Sequence, residues 1–274
     1  KCLTTLGIGG TCQLFYMPSD IEALSLVMKY IYLNDIKHLI IGAGSNLLVD
    51  DKDFNIVVIS LKNFKRCYVV KEDNDYWYIY AESGVRAPVL SNYLVERKIK
   101  GAEFLSVIPG TIGGLTYMNA GAYKKSMSDI LESVTFIDDE GIIKTVKNID
   151  DNLKFDYRSS IFKFLDSVIV SVIFKLSKNY KLGDSKEKIR RYLAKKKETQ
   201  PLNTKNAGST FKNLPHVSTW ELIDSLGYRG YKLGGAMVNE KHVNFLVNDG
   251  DATFEDMISL VNLIKDDIYL IFEH

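Results

Sequence analysis

Apolar positions fall into helical and strand-like stretches along the whole chain. Residues 19–32 (SDIEALSLVMKYIY) place a cap-like Ser19 before apolar residues at helical spacing, and 38–42 (HLIIG) then read as a short buried strand. Residues 54–61, 67–70 and 76–81 are short and β-branched or aromatic, as strands require, and 89–97 return to a helical pattern. Residues 133–137 and 142–146 flank a DDEG turn and predict a hairpin, and 167–176 (SVIVSVIFKL) predict a strong strand. Further on, 186–198 predict a basic helix, 199–208 a polar linker, 220–226 and 253–269 helices, and 244–247 a strand before the Asn248-Asp249-Gly250 turn. The pattern is that of an α+β chain.

With 274 residues, 46% of them hydrophobic, the chain can bury more than one core. The expected divisions are 1–64, 65–178 and 179–274. Lys and Arg total 35 against 34 Asp and Glu, so no global field points to nucleic acid or an anionic membrane, and anion recognition must be local. No apolar run reaches the length of a membrane span, and residues 1–20 lack the pattern of a secretory signal, so a soluble, cytoplasmic protein is expected. Cys2, Cys12 and Cys67 show no Cys-x-x-Cys spacing, and His38, His216 and His242 are isolated; no metal site is expected. His242 is expected to be a buried, hydrogen-bonded imidazole beside Phe245.

Chemistry concentrates in two glycine-punctuated segments, 41–50 (IGAGSNLLVD) and 108–123 (IPGTIGGLTYMNAGAY), about sixty residues apart. Gly42, Gly44, Gly110, Gly113, Gly114 and Gly121 would let backbone amides approach a phosphate-bearing ligand. A Rossmann fingerprint fits poorly, because its third glycine would fall at Leu47 and the segment reads on into more strand; a Walker loop is absent. Two loops embedded in short strands better suit a pyrophosphate held from two subdomains, with Ser45, Asn46, Thr111 and Asn119 adding side-chain hydrogen bonds.

Those segments, together with YRSSI (157–161), AGSTFKN (207–213) and GGAMVNEKHVNF (234–245), closely resemble the UDP-N-acetylenolpyruvoylglucosamine reductase family, in order over nearly the whole chain. The resemblance implies a two-subdomain FAD-binding fold of the vanillyl-alcohol oxidase type followed by a smaller α+β substrate-binding domain. It also implies non-covalent FAD, NADPH as hydride source and UDP-N-acetylglucosamine enolpyruvate as a small-molecule substrate, in peptidoglycan precursor synthesis. FAD contacts carry over to Gly42, Ala43, Gly44, Ser45, Asn46 and Leu47, to Pro109, Gly110, Thr111, Gly113 and Gly114, and to Asn119, Gly121 and Ala122.

By the same resemblance Arg158 matches the active-site arginine that stabilises negative charge on the substrate carboxylate, and Ser209 matches the proton donor. Glu273 falls at the family's C-terminal catalytic glutamate, where the family pattern continues into a basic apolar strand but this sequence stops at His274. Tyr157, Gln200, Lys212 and Asn213 are the expected substrate contacts, with Asn239 and Asn244 as further hydrogen-bonding candidates for the sugar or uracil. Lys205 and the basic run 190–197 are candidates for the substrate diphosphate. Leu214 stands where the family usually has proline, and about fifty residues separate Arg158 from Ser209, as in the shorter subgroup that lacks a substrate-capping loop. An FAD-dependent alcohol oxidase of the same fold, or an inactive nucleotide-sugar binding protein, are the rival readings.

Overall fold

A computed structural model describes residues 1–149, 152–179 and 183–272. Two compact units appear: one of residues 13–42 and 55–194, the other of residues 1–12, 43–54 and 195–274.

The unit of residues 13–42 and 55–194 opens with β1 (Cys12–Tyr16), α1 (Ile21–Leu33), β2 (His38–Ile41) and β3 (Phe54–Ser60). Helix α1 buries Leu24, Met28 and Ile31, one stripe at helical spacing. Its N-cap is Asp20 rather than Ser19: the Asp20 carboxylate accepts Ala23 N–H at 2.8 Å, and Ser19 donates to Asp20. Strands β2 and β3 pair in parallel in a three-stranded sheet ordered β1-β3-β2, so β2 ends at Ile41 on a sheet edge and delivers Gly42 there. β1, a strand expected ahead of α1 but without residue bounds, lies at the other edge, where only partial burial is required of its residues.

The second sheet is antiparallel, ordered β4-β5-β10-β8-β9, from β4 (Cys67–Glu72), β5 (Tyr76–Glu82), β8 (Leu131–Asp138), β9 (Ile143–Lys147) and β10 (Ser167–Ser177). Between β5 and β8 run α2 (Ala87–Glu96), α3 (Ile112–Tyr117), β6 (Gly121–Ala122) and β7 (Lys125–Ser126), the last two forming a small hairpin. Strand β10 is buried on both faces. Ile169, Val172 and Phe174 join a core with Leu90, Leu94, Phe104 and Ile112, whereas Val168 and Val170 pack with Leu24, Met28 and Ile59. This two-sided burial explains why the sequence of β10 is nearly continuous in apolar residues rather than alternating.

Helix α4 (Ser185–Thr199) follows, then β11 (Lys205–Asn206), α5 (Thr219–Ser225), β12 (Lys232–Leu233), β13 (Ala236–Val238), β14 (Leu246–Asn248) and α6 (Phe254–Phe272). In the unit of residues 1–12, 43–54 and 195–274, the four strands form a sheet ordered β11-β14-β13-β12. Leu6, Ile8, Leu222, Ile223, Val238 and Leu246 share a core with Met257, Leu260, Ile264 and Ile268 of α6.

Four local expectations are corrected. The first glycine segment does not run on into strand: residues 42–50 are turn and irregular chain after β2. The second is not embedded in strands either, because α3 begins within it at Ile112. The expected linker 199–208 includes β11, whose Lys205 and Asn206 pair with Asn248 and Val247. The strand expected at 244–247 begins at Leu246, because Asn244 and Phe245 close a turn: Phe245 N–H donates to His242 O at 2.9 Å.

Candidate active site

The unit of residues 13–42 and 55–194 brings the start of the first glycine segment against the second. A Cβ on Gly42 would lie 2.6 Å from Thr111 Oγ1, and the nearest atom to a Cβ on Gly114 is the same oxygen, at 3.6 Å. Thr111 is 7% exposed and precedes α3, where its side chain makes no capping bond. Gly110 O accepts Ala87 N–H (3.1 Å), Ile112 N–H donates to Val85 O (2.8 Å) and Gly113 N–H to Ser83 O (2.9 Å). These bonds fix the loop while the N–H groups of Gly110, Thr111 and Gly114 donate to no described residue.

The glycines here have separate causes. Gly110 has φ +140°, and a Cβ on Gly113 would come within 2.6 Å of Ser83 Cβ, so the protein itself requires both. Gly114 differs: it is exposed, has no neighbour apart from Thr111 near its Cβ position, and lies inside a helix, where glycine costs about 1 kcal/mol relative to alanine. Gly114 therefore leaves bare, exposed backbone in the first turn of α3. In the other unit the segment continues through Ala43, Gly44, Ser45, Asn46 and Leu47. Gly44 has φ +64°, its carbonyl accepts Thr5 N–H at 3.0 Å, and a Cβ there would meet Leu3 O at 1.9 Å.

Beyond α3, Asn119 is 6% exposed and organises its surroundings: Nδ2 donates to Asp156 O (3.0 Å) and Oδ1 accepts Ser128 N–H (3.0 Å). The other Nδ2 hydrogen has no acceptor among the described residues. Arg158 is the second central residue of a tight turn in which Asp156 and Ser159 exchange both backbone hydrogen bonds at 3.1 Å. Its φ is +56°, and Asn119 (+42°), Tyr123 (+53°), Lys124 (+60°) and Lys154 (+43°) also take the left-handed region. Left-handed backbone costs a non-glycine residue about 1–2 kcal/mol, so five such residues between 119 and 158 mark a region held against local preference.

Arg158 is half-buried, its Nη2 donates to Gly121 O at 3.1 Å, and its Cζ lies 5.0 Å from the Tyr157 ring. No ion pair to it occurs among the described residues. A guanidinium bound to one carbonyl keeps donors for a carboxylate. Tyr157 is 47% exposed. Neighbouring Ser160 is fully buried, and its Oγ donates to Tyr117 O at 2.7 Å, which ties the turn to α3. Tyr123, next to Ala122, stacks on Tyr192 of α4 with ring centroids 3.7 Å apart and donates to Tyr192 O (3.0 Å). Its aromatic character was visible in the sequence, but no spacing rule links Tyr123 to Tyr192.

Ser209 lies in the other unit. It is exposed, its Oγ makes no hydrogen bond to a described residue, and it follows Gly208, whose φ is +84° with nothing within 4 Å of a Cβ. Lys212 and Asn213 are exposed nearby: Lys212 O accepts Thr219 Oγ1, and Asn213 Oδ1 accepts Thr219 N–H at 3.2 Å. Gln200 is half-buried and its N–H donates to Lys196 O at 2.9 Å, at the end of α4. Asn239 Oδ1 accepts Lys241 and His242 N–H groups, and both side-chain polar atoms of Asn244 bond Phe211, so these two asparagines serve the chain's own backbone. His242 packs 4.8 Å from the Phe245 ring, and burial pushes its imidazole below the usual pKa. Glu273 lies outside the described residues.

The chain is similar to known proteins over nearly all of its length. Residues 12–147 match the FAD binding domain, and 200–274 match the C-terminal domain of UDP-N-acetylenolpyruvoylglucosamine reductase. The chain is 39% identical to UDP-N-acetylenolpyruvoylglucosamine reductase of Carboxydothermus hydrogenoformans, over 96% of this chain and 85% of the relative. Identity to the Orientia tsutsugamushi (strain Boryong) protein of that name is 38%, over 97% of this chain and 86% of the relative. The crystal structure of the Thermus caldophilus enzyme aligns with a TM-score of 0.80 at 31% identity, covering 97% of this chain and 92% of that one.

Proposed function

We infer the chemistry of the site from one premise: the chain belongs to the UDP-N-acetylenolpyruvoylglucosamine reductase family. It is an FAD-containing enzyme that uses NADPH to reduce UDP-N-acetylglucosamine enolpyruvate to UDP-N-acetylmuramate in peptidoglycan precursor synthesis. The structural observation that supports FAD most directly is Gly114, bare and exposed in a helix that would be more stable with alanine. Gly42 to Leu47, Pro109 to Gly114 and Asn119 to Ala122 are the residues that would hold FAD. When bound, FAD relays hydride from NADPH to the terminal enolpyruvyl carbon.

What remains for the protein is charge and a proton. Addition of hydride to the terminal carbon leaves negative charge on the adjacent, carboxylate-bearing carbon. Arg158 stabilises that carboxylate as charge accumulates, through the donors not spent on Gly121 O. Ser209 gives its hydroxyl proton to the carbanion and recovers one from water. A serine is a weak acid, but its acceptor here is strongly basic. The hydride and the proton complete the reduction, and NADP+ is the only other product. Glu273 shares stabilisation of the enolate by family resemblance, and Tyr157, Gln200, Lys212 and Asn213 contact substrate. We keep 1–64 and 65–178 as the FAD-binding subdomains and 179–274 as the substrate-binding domain. No described helix is long and apolar enough to cross a membrane. A reaction that consumes NADPH and a UDP-linked sugar suits the cytoplasm, where we place the enzyme.

Incubation with NADPH and UDP-N-acetylglucosamine enolpyruvate should yield a product heavier by one hydride and one proton, with equimolar NADPH consumed and no oxygen uptake. Oxygen consumption with an alcohol, and no nicotinamide requirement, would instead establish the oxidase.

A further inference from the structure

Ser209 has no hydrogen bond of its own among the described residues, so its position is set by its neighbours. On the N-terminal side Gly208 N–H donates to Asn206 Oδ1 at 2.9 Å. On the C-terminal side Asn244 makes three bonds to the two residues that follow: Thr210 N–H to Asn244 O (2.8 Å), Phe211 N–H to Oδ1 (2.8 Å), and Nδ2 to Phe211 O (3.0 Å). Asn244 is 3% exposed, and its own N–H donates to His242 Nδ1 at 3.3 Å. Leu246 N–H reaches Thr210 Oγ1 at 3.4 Å.

We propose that Asn244 is a positioning residue for proton delivery: its carboxamide reads both backbone polar groups of Phe211 and so fixes the loop that presents Ser209. This rests on the assignment of Ser209 as proton donor. The amide is needed in full, since Oδ1 must accept while Nδ2 donates. A buried carboxylate at this position would turn an acceptor toward Phe211 O, and an aliphatic side chain would leave Phe211 N–H and C=O both unpaired.

The test uses the FAD-loaded enzyme and separates the two half-reactions by stopped-flow absorbance. With Asn244→Asp, reduction by NADPH should stay within about twofold of wild type with unchanged FAD content, whereas reoxidation by UDP-N-acetylglucosamine enolpyruvate should slow roughly tenfold to a hundredfold. Adding Asn244→Asp to Ser209→Ala should slow reoxidation no further, because the loop would then have no donor to place. If Ser209→Ala slows reoxidation and Asn244→Asp does not, the positioning role is wrong and the donor assignment stands. If Ser209→Ala itself leaves reoxidation unchanged, the donor assignment fails first and takes the proposal with it. Hydrogen exchange on the unmodified enzyme provides a check that needs no variant. The amides of Thr210 and Phe211 should be protected well beyond that of Ser209; equal exchange at all three would overturn the proposal even if Asn244→Asp failed to fold.

Discussion

The turn that carries Arg158 and the loop that carries Ser209 both present a side chain proposed to act on substrate next to a left-handed backbone, yet they distribute the conformational cost differently. In the turn, Arg158 itself takes φ +56°, and its side chain is tied to Gly121 O. In the loop a glycine, Gly208, takes φ +84°, and the serine beside it carries no tether. The difference suits the proposed tasks. A guanidinium on a long side chain must be aimed, and one anchored nitrogen aims it while others stay available. A hydroxyl that must surrender its proton is better left uncommitted, with the backbone on either side held by Asn206 and Asn244.

This contrast can be broken from either side, and the largest effect belongs to the loop. Ser209→Ala should reduce reoxidation by the substrate about 10²–10⁴-fold, with reduction by NADPH and FAD content unchanged in the same stopped-flow trace. A loss of a few-fold would leave the hydroxyl no more than a turn residue. Next in size, Arg158→Lys keeps the charge but loses the planar fork. Steady-state turnover should fall roughly 10²-fold, with Arg158→Gln lower still and thermal stability nearly unchanged in both. Equal activity for Arg158→Gln and Arg158→Lys would remove the electrostatic role.

The glycines of α3 sharpen the comparison through opposite signs. Gly114→Ala should stabilise the FAD-free protein by about 1 kcal/mol, raising Tm by roughly 2–4 °C, while weakening FAD binding measured by fluorescence titration. Gly113→Ala should instead destabilise it by about 1–3 kcal/mol, because its Cβ would sit 2.6 Å from Ser83 Cβ. Should Gly114→Ala bind FAD as wild type does, the bare helix position needs another cause.

The smallest predicted effect is a pH dependence anchored at Glu103, far from either loop in sequence. Burial alone pushes this carboxyl up, but Ser185 Oγ (2.7 Å), Gly101 N–H (3.1 Å) and Lys188 Nζ (3.3 Å) outweigh it and hold the group below its ordinary pKa. A folded-state pKa below the unfolded one stabilises the fold above the unfolded value and is lost as pH falls through the folded value. Urea midpoints should therefore drop on acidification below the ordinary glutamate pKa, and Glu103→Gln should flatten that acid limb. An unchanged acid limb in Glu103→Gln would show that the carboxylate does not contribute there.

Much of this was legible in the chain. The stripe Leu24, Met28, Ile31 announced α1, and the DDEG turn announced the β8–β9 hairpin, because both depend on neighbours close in sequence. The glycine segments announced a phosphate-type ligand, although α3 within the second was hidden by glycines that depress helix propensity. Less legible was what depends on distant partners. Nothing local to Asn244 reveals that its amide serves Phe211, 33 residues away, and a buried asparagine reads from sequence much like a ligand contact. The left-handed Arg158 was equally silent, since its turn is set by Asp156 and Ser159 and stabilised by Gly121.

The central claim, a flavin reduced by NADPH and reoxidised by the enolpyruvyl nucleotide, is tested most directly by visible absorbance of the purified protein under anaerobic conditions. A yellow protein that bleaches on NADPH addition and regains its colour with UDP-N-acetylglucosamine enolpyruvate is the predicted result. No flavin binding even after FAD is supplied, or bleaching that the substrate does not reverse, would contradict it.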